Sequence, residues 1–139
     1  MRALGIDFGE KRIGLAVSDI EGRWALPLTT LERQTDRRAI YRIAELANSQ
    51  GVGLLVVGEP LGHDGSAGEA AQRVHRFGRR LGKASGLPVH WVNEALTTVE
   101  AAERLQEVGL DRDEKSGRRD AVAAQILLQE ALDQGVTER

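Results

Sequence analysis

The sequence predicts an α/β fold: a mixed five-stranded sheet, three antiparallel strands followed by parallel ones, flanked by helices. Three observations carry this. Short apolar or alternating runs at 3–8, 12–19 and 23–31 are separated by Gly9-Glu10-Lys11 and by Glu21-Gly22, turn chemistry suited to hairpins. The run VGLLVVG at 52–58 is continuously apolar, as a strand covered on both faces must be. From there on, segments of helical spacing alternate with strands, giving the order βββαβαβα with one more helix at the end, and right-handed crossovers place helices on both faces of the sheet.

Each later element has its own signal. Ile40, Ile43, Ala44, Leu46 and Ala47 recur at helical spacing behind a cap at Thr35 or Asp36, and Gly51 closes that helix, which spans about 36–50. After the 52–58 strand, Ser66 with Glu69 forms a capping box that opens a helix ending near Gly86. LPVHWVN at 87–93 reads as the fifth strand. Thr97 with Glu100 is a second capping box, so a helix is expected directly behind that strand, to about Val108, where Gly109 stops it. Residues 109–118 are polar and charged, which suits an exposed loop, and a last helix is expected over 119–134. Without repeats, linker-like shifts or low-complexity tracts, the 139 residues are expected to form one domain (1–139), with 134–139 frayed.

Composition excludes several classes of function. There is no cysteine, hence no disulfide, thiol chemistry or Cys-ligated zinc. No apolar run approaches the length of a membrane span, and Met1 leads directly into a strand-like segment, so a cytoplasmic protein with neither leader nor membrane partner is expected. The net charge of −2 carries no overall nucleic-acid signature; such a partner would have to be met by a local basic face or through metal ions.

The acids are more informative. Asp7 sits inside an apolar run, where a carboxylate costs several kcal/mol unless it is paired or bound to a cation. Glu94 stands at the carboxyl end of the fifth strand, just before a helix, where α/β sheets place ligands. Asp120 has Ala123, Ala124, Leu127 and Ala131 at i+3, i+4, i+7 and i+11, which puts it on an inward face. Asp19 and Glu59, at the ends of the second and fourth strands, are weaker candidates. Three carboxylates converging at strand ends would repel one another unless a divalent cation neutralised them. All-oxygen ligation, with histidines scattered at 63, 75 and 90, favours Mg²⁺ or Mn²⁺ over zinc. In two-metal phosphoryl transfer such acids hold two ions roughly 3.5–4 Å apart, and Asp7 would be the acid that bridges them.

A cationic surface accompanies these acids. Arg73, Arg76, Arg80 and Lys83 recur on one side of the second helix while Val74, Phe77 and Leu81 occupy another, so a phosphodiester backbone could lie along the first. Lys11 and Arg12, in the turn beside Asp7, are placed to touch a scissile phosphate, and Arg118 and Arg119 precede Asp120. The 109–118 loop could close over substrate, and His63 could shuttle a proton.

Four stretches resemble a known family: GIDFGEKRIGLAVSD at 5–19, LLVVGEPLGHDGSAG at 54–68, NEALTTVEA at 93–101 and RRDAVAAQILL at 118–128. Together they are similar to the YqgF/RuvX family, pre-16S rRNA nucleases also called Holliday junction resolvases, of RNase H-like fold. The resemblance implies that Asp7, Glu94 and Asp120 are the catalytic acids. It implies metal-dependent hydrolysis of structured nucleic acid, at the 5′ end of precursor 16S rRNA or, as the alternative, in branched DNA. A resolvase would work as a homodimer, whereas an RNA-trimming enzyme could be a monomer. A noncatalytic nucleic-acid-binding assembly factor is the second alternative. Two departures stand out. Members usually carry Asp-Glu-Arg where this chain has Asn93-Glu94-Ala95, and an apolar residue where it has Glu59, which makes Glu59 a further candidate metal ligand.

Overall fold

Alternation along the first strand divides the molecule into two layers. Leu4 and Ile6 point to one side of the sheet and Ala3, Gly5 and Asp7 to the other, so each face needs its own cover. A computed structural model describes residues 1–9, 11–60, 68–94 and 116–137, the side chains of 116–120 excepted. Its elements are β1 (Arg2–Phe8), β2 (Arg12–Ser18), β3 (Ala25–Glu32), α1 (Asp36–Ser49), β4 (Val52–Glu59), α2 (Glu69–Ser85), β5 (Val89–Asn93) and α3 (Ser116–Asp133). The sheet order is β3-β2-β1-β4-β5, with β1–β2 and β2–β3 antiparallel and β1–β4 and β4–β5 parallel. This is the expected mixed five-stranded sheet, of RNase H-like architecture. Among the described residues no helix is long and apolar enough to cross a membrane.

α1 and α2 cover one face. Ile40, Ile43 and Ala47 of α1 and Val74, Phe77 and Leu81 of α2 pack on Leu4, Ile6, Leu15, Leu55 and Val57. α1 starts as expected: Thr35 Oγ1 accepts the Arg38 amide at 3.1 Å, satisfying a donor that has no partner inside the helix. α2 starts differently. Its N-cap is Gly68, which has no side chain to offer the first turn, and Ser66 lies outside the described residues. The expected helix over 97–108 also lies outside them.

α3 alone covers the other face, with Ala124, Leu127, Leu128, Ala131 and Leu132 on Ala3, Ala16, Leu54, Val56 and Val92. It starts at Ser116, three residues before the expected 119. Small residues let it approach closely: a Cβ on Gly5 would lie 2.7 Å from Leu128 Cβ and 2.9 Å from the Ala124 carbonyl oxygen. The carboxyl half of α3 is tied to the β2–β3 turn. Gln125 donates to the Ala25 carbonyl at 2.9 Å, and Gln129 accepts the Ala25 amide and donates to the Arg23 carbonyl. Beyond α3 the Thr137 hydroxyl donates to the Gly22 carbonyl at 3.0 Å and Val136 packs on the core.

That anchoring fixes the direction of α3. The β2–β3 turn lies at the amino end of β1, so the helix runs antiparallel to β1 and its first turns lie towards the carboxyl ends of β1 and β4. Gly5→Ala is expected to push α3 off the sheet and destabilise the protein by about 1–3 kcal/mol, an overpacking penalty. A lowered urea midpoint with unchanged slope checks this; an unshifted midpoint contradicts the close packing.

Candidate active site

The parallel register of β1, β4 and β5 gathers their carboxyl ends into one row. Ile6 pairs with Val57, Gly58 with Val92, and Glu59 with Asn93; on its other side Asp7 faces Gly14 of β2. Asp7 ends the inward series Ala3, Gly5, Asp7, and Gly58 ends the series Leu54, Val56, Gly58, both on the α3 side of the sheet. Glu94 follows Val92 on that same side.

Gly58 makes the meeting possible. A Cβ there would fall 2.6 Å from Glu94 Oε1, so the Glu94 side chain lies across a strand position that must be bare. In that place it forms a side-chain hydrogen bond with Asp7. Burial first, then the hydrogen bond and the negative charge of Asp7, push the Glu94 carboxyl up from 4.5 to about 8. The pair is a desolvated, all-oxygen donor set held by two strands. It fits a hard divalent cation, which would relieve the repulsion that now keeps a proton there. Among the described residues no group of three or more acidic or histidine side chains converges.

Asp120 lies in α3 four residues before Ala124, whose carbonyl oxygen faces Gly5. One further helical turn towards the amino end brings its backbone position to the Asp7 end of the face; its side chain lies outside the described residues, as do those of Arg118 and Arg119. His63 and the 109–115 part of the expected loop lie outside them altogether.

Glu59 is not brought together with Asp7 and Glu94. It follows Val57 onto the α1/α2 side, where Oε1 pairs with His75 Nε2 at 2.5 Å, and the imidazole stacks on Trp91 with ring centroids 4.0 Å apart. The two departures from the family pattern also meet, because Glu59 and Asn93 are cross-strand neighbours. An aspartate at 93 would set like charges side by side, which is unfavourable. Asp19 is far from the site, at the opposite end of the sheet. Its Oδ1 accepts the amides of Trp24 and Arg23, which holds its carboxyl below the usual range and shapes the hairpin turn.

Arg12 opens β2 two residues from Gly14 and so shares the Asp7 side of the sheet, and Lys11 is exposed in the adjoining turn. Arg73, Arg76, Arg80 and Lys83 are exposed on α2, in the layer opposite the carboxylate pair. Arg80 approaches Asp36 of α1 at 4.0 Å. Sequence reasoning passed over Gly58, although a glycine between an apolar strand and Glu59 was a signal that something approaches the strand closely.

A mixed sheet of three antiparallel and two parallel strands, with carboxylates at the carboxyl ends of β1 and β5, defines an RNase H-like protein. Solved structures agree on the fold. Thermus thermophilus RuvC superposes with a TM-score of 0.66 at 19% identity, covering 97% of each chain. The fowlpox virus Holliday junction resolvase does so with a TM-score of 0.59 at 12% identity, covering 96% of this chain and 99% of the other. The chain belongs to the RuvX family, described as Holliday junction resolvase, whose model matches residues 1–134. Relatives named pre-16S rRNA nuclease include one from Anaeromyxobacter sp. (strain Fw109-5), 43% identical over 96% of this chain and 97% of its own. Another, from Chloroflexus aurantiacus (strain ATCC 29366), is 42% identical over 94% of this chain and 85% of its own.

The raised Glu94 pKa has a definite consequence for stability. Between about 4.5 and about 8 the folded protein keeps a proton that the unfolded chain releases, so without metal its stability falls as pH rises through that window. Thermal melts in EDTA are expected to show this slope and to lose it in Glu94→Gln, which is the more stable protein at the alkaline end. Identical slopes in the two proteins contradict the pairing.

Proposed function

We propose that this protein is a divalent-metal-dependent nuclease that hydrolyses a phosphodiester bond in structured nucleic acid, at the 5′ end of precursor 16S rRNA. The observation that carries this reading is the Asp7–Glu94 pair at the carboxyl ends of β1 and β5, in a family whose relatives bear that name. The substrate would be reached in the cytoplasm.

Asp7, Glu94 and Asp120 are the residues proposed to hold Mg²⁺ or Mn²⁺, as a pair of ions. Bound there, the ions would lower the pKa of the attacking water and offset charge on the phosphate. The chain's own groups do the positioning. Asp7 comes from a central strand flanked by β2 and β4, so its carboxylate has little freedom to drift. Glu94 is seated by the gap at Gly58. Lys11 and Arg12 border the pair and suit the non-bridging oxygens of the scissile phosphate. Arg118 and Arg119 would carry the flanking backbone, and Arg73, Arg76, Arg80 and Lys83, on the opposite layer, would meet it only where it passes round the edge of the sheet, a salt-dependent contact that reads shape more than sequence. In the reaction a water oxygen bonds to phosphorus, one P–O ester bond breaks, and the leaving oxygen takes up a proton.

Cleavage of branched DNA is the second reading, favoured by the family description and by the likeness of the fold to RuvC. Both readings share the chemistry, and the number of sites separates them. A resolvase must cut two strands symmetrically and so needs a two-fold dimer.

The deciding experiment offers precursor 16S rRNA and a four-way DNA junction to the wild type with Mg²⁺, Mn²⁺ or EDTA. Asp7→Asn, Glu94→Gln and Asp120→Asn are each expected to slow cleavage at least about 10²-fold, and EDTA to abolish it. Activity that survives EDTA overturns the mechanism; a wild type inactive on both substrates points to a noncatalytic assembly factor. Junction cleavage with a dimeric mass in solution selects the second reading.

Gly58→Ala is a sharper probe. The methyl group displaces only the end of Glu94, so the melting temperature is expected to stay close to wild type. Misplacing the carboxylate by about 1 Å is expected to slow cleavage up to about 10²-fold. Full activity in Gly58→Ala contradicts the seating of Glu94.

A further inference from the structure

A groove of about 890 Å³ lies on the flank of the molecule between β3 and α1, away from the carboxylate pair. Its β side is the edge strand of the sheet, with Thr29 and Thr30. Its helical side carries Arg37, Arg38, Tyr41 and Arg42; Tyr41 is four residues from Arg37 and three from Arg38, and Arg42 is four from Arg38. Three arginines stand there against one lining carboxylate, Glu32, in a chain whose net charge is −2. Arg38 donates to the neutral Gln34 side chain at 2.8 Å and so keeps its full charge. Among the described residues no salt bridge engages Arg37 or Arg42. Tyr41 is 70% exposed, an amphipathic ring left in solvent among cations.

We infer that this groove binds a single-stranded segment of nucleic acid, with the arginines on its phosphates and a base stacked on Tyr41. The chemistry of the lining selects this ligand. Guanidinium groups pair bidentately with phosphate oxygens, and an exposed aromatic face accepts any unpaired base. A duplex keeps its bases stacked on one another and has no use for that ring. Among the described residues no strand pairs with the outer edge of β3, which adds its backbone groups to the groove.

The groove borders the same edge of the sheet at which the site's row ends. Thr30 pairs with Gly14, and Gly14 with Asp7, so the row that holds the catalytic candidate ends at the β3 edge two strands away, about 10 Å by strand spacing, while the arginines and Tyr41 lie on α1, round that edge on the other face of the sheet. A strand leaving the cleaved phosphodiester would have to pass round the edge of β3 to lie in the groove. The inference therefore rests on the nuclease reading for its biological setting, while its test does not.

Binding is measured in EDTA by fluorescence anisotropy with labelled oligouridylate and oligothymidylate over a range of salt. Thermal melts check that the surface variants fold. The double variant Arg37→Ala/Arg42→Ala is expected to bind about tenfold more weakly, its log–log salt slope reduced by roughly 1.4 for two lost phosphate contacts. Tyr41→Ala is expected to lose about tenfold and Tyr41→Phe to retain binding, since stacking needs the ring and not the hydroxyl. The two oligonucleotides tell whether the ribose hydroxyl adds to the shared phosphate and base contacts; the expected losses in the variants on either of them uphold the groove.

Three results would overturn the inference: wild-type affinity in both the arginine and the Tyr41→Ala variants, equal losses on a blunt duplex, or competition by polyglutamate as strong as by oligonucleotide, which marks an acidic protein partner. No cleavage enters this readout. A protein that cuts nothing yet loses oligonucleotide binding in these variants refutes the nuclease reading alone, and one that cuts normally while the variants bind as wild type refutes the groove alone.

Discussion

The hydrogen bond between Asp7 and Glu94 sets the terms for its surroundings. Two carboxyl groups in a partly buried place exact a desolvation penalty and repel each other, and the pair meets this by keeping a proton on Glu94. That solution requires both side chains on the same face, at the same height, with nothing between them. Parallel pairing of β1, β4 and β5 supplies the height, strand alternation supplies the face, and Gly58 supplies the space. An acid pair that must be relieved by a proton or by a cation suits the metal chemistry proposed for it.

The two layers of helices serve different purposes. α1 and α2 pack large aliphatic and aromatic side chains against one face, where Phe77 lies against Phe8 and Arg33 covers the Phe8 ring. α3 packs alanines and leucines so tightly that Gly5 has no room for a methyl group. Its carboxyl end is tied to the β2–β3 turn, so its amino end is directed to the functional row. The Glu59–His75–Trp91 stack lies on the opposite side of the same strand ends and braces them from behind. The carboxylate pair thus stands on a rigid support, as a reaction that depends on position requires.

Much of the architecture was legible because period and punctuation agreed. The hairpins were marked by Gly9 and Gly22 between alternating runs, the central strand by its unbroken apolar stretch, and α1 by Thr35 and Gly51 at its ends. Asp7 stood out as a candidate because a carboxylate inside an apolar strand needs a partner, and Glu94 because it ends a strand where α/β sheets place ligands. The start of α2 was misplaced because Ser66 and Glu69 have the spacing of a capping box, yet Gly68 caps the helix with its backbone alone. The bond from Thr137 to the Gly22 carbonyl was not legible at all, because nothing near a terminus points to a carbonyl more than a hundred residues away.

By itself the sequence determined the order and kind of the elements, because hydrophobic period, turn residues and caps act over a few neighbouring residues. It also determined which acids carry a penalty unless they are paired. Only the tertiary structure decided that Glu94 reaches Asp7, that Gly58 must be bare, and that Glu59, one residue along the same strand, turns away to His75. It alone put Tyr41 and three arginines opposite the edge of β3. The reason is geometric: whether two side chains on a sheet share a face depends on strand order and register, and a shift of one residue sends each to the other side.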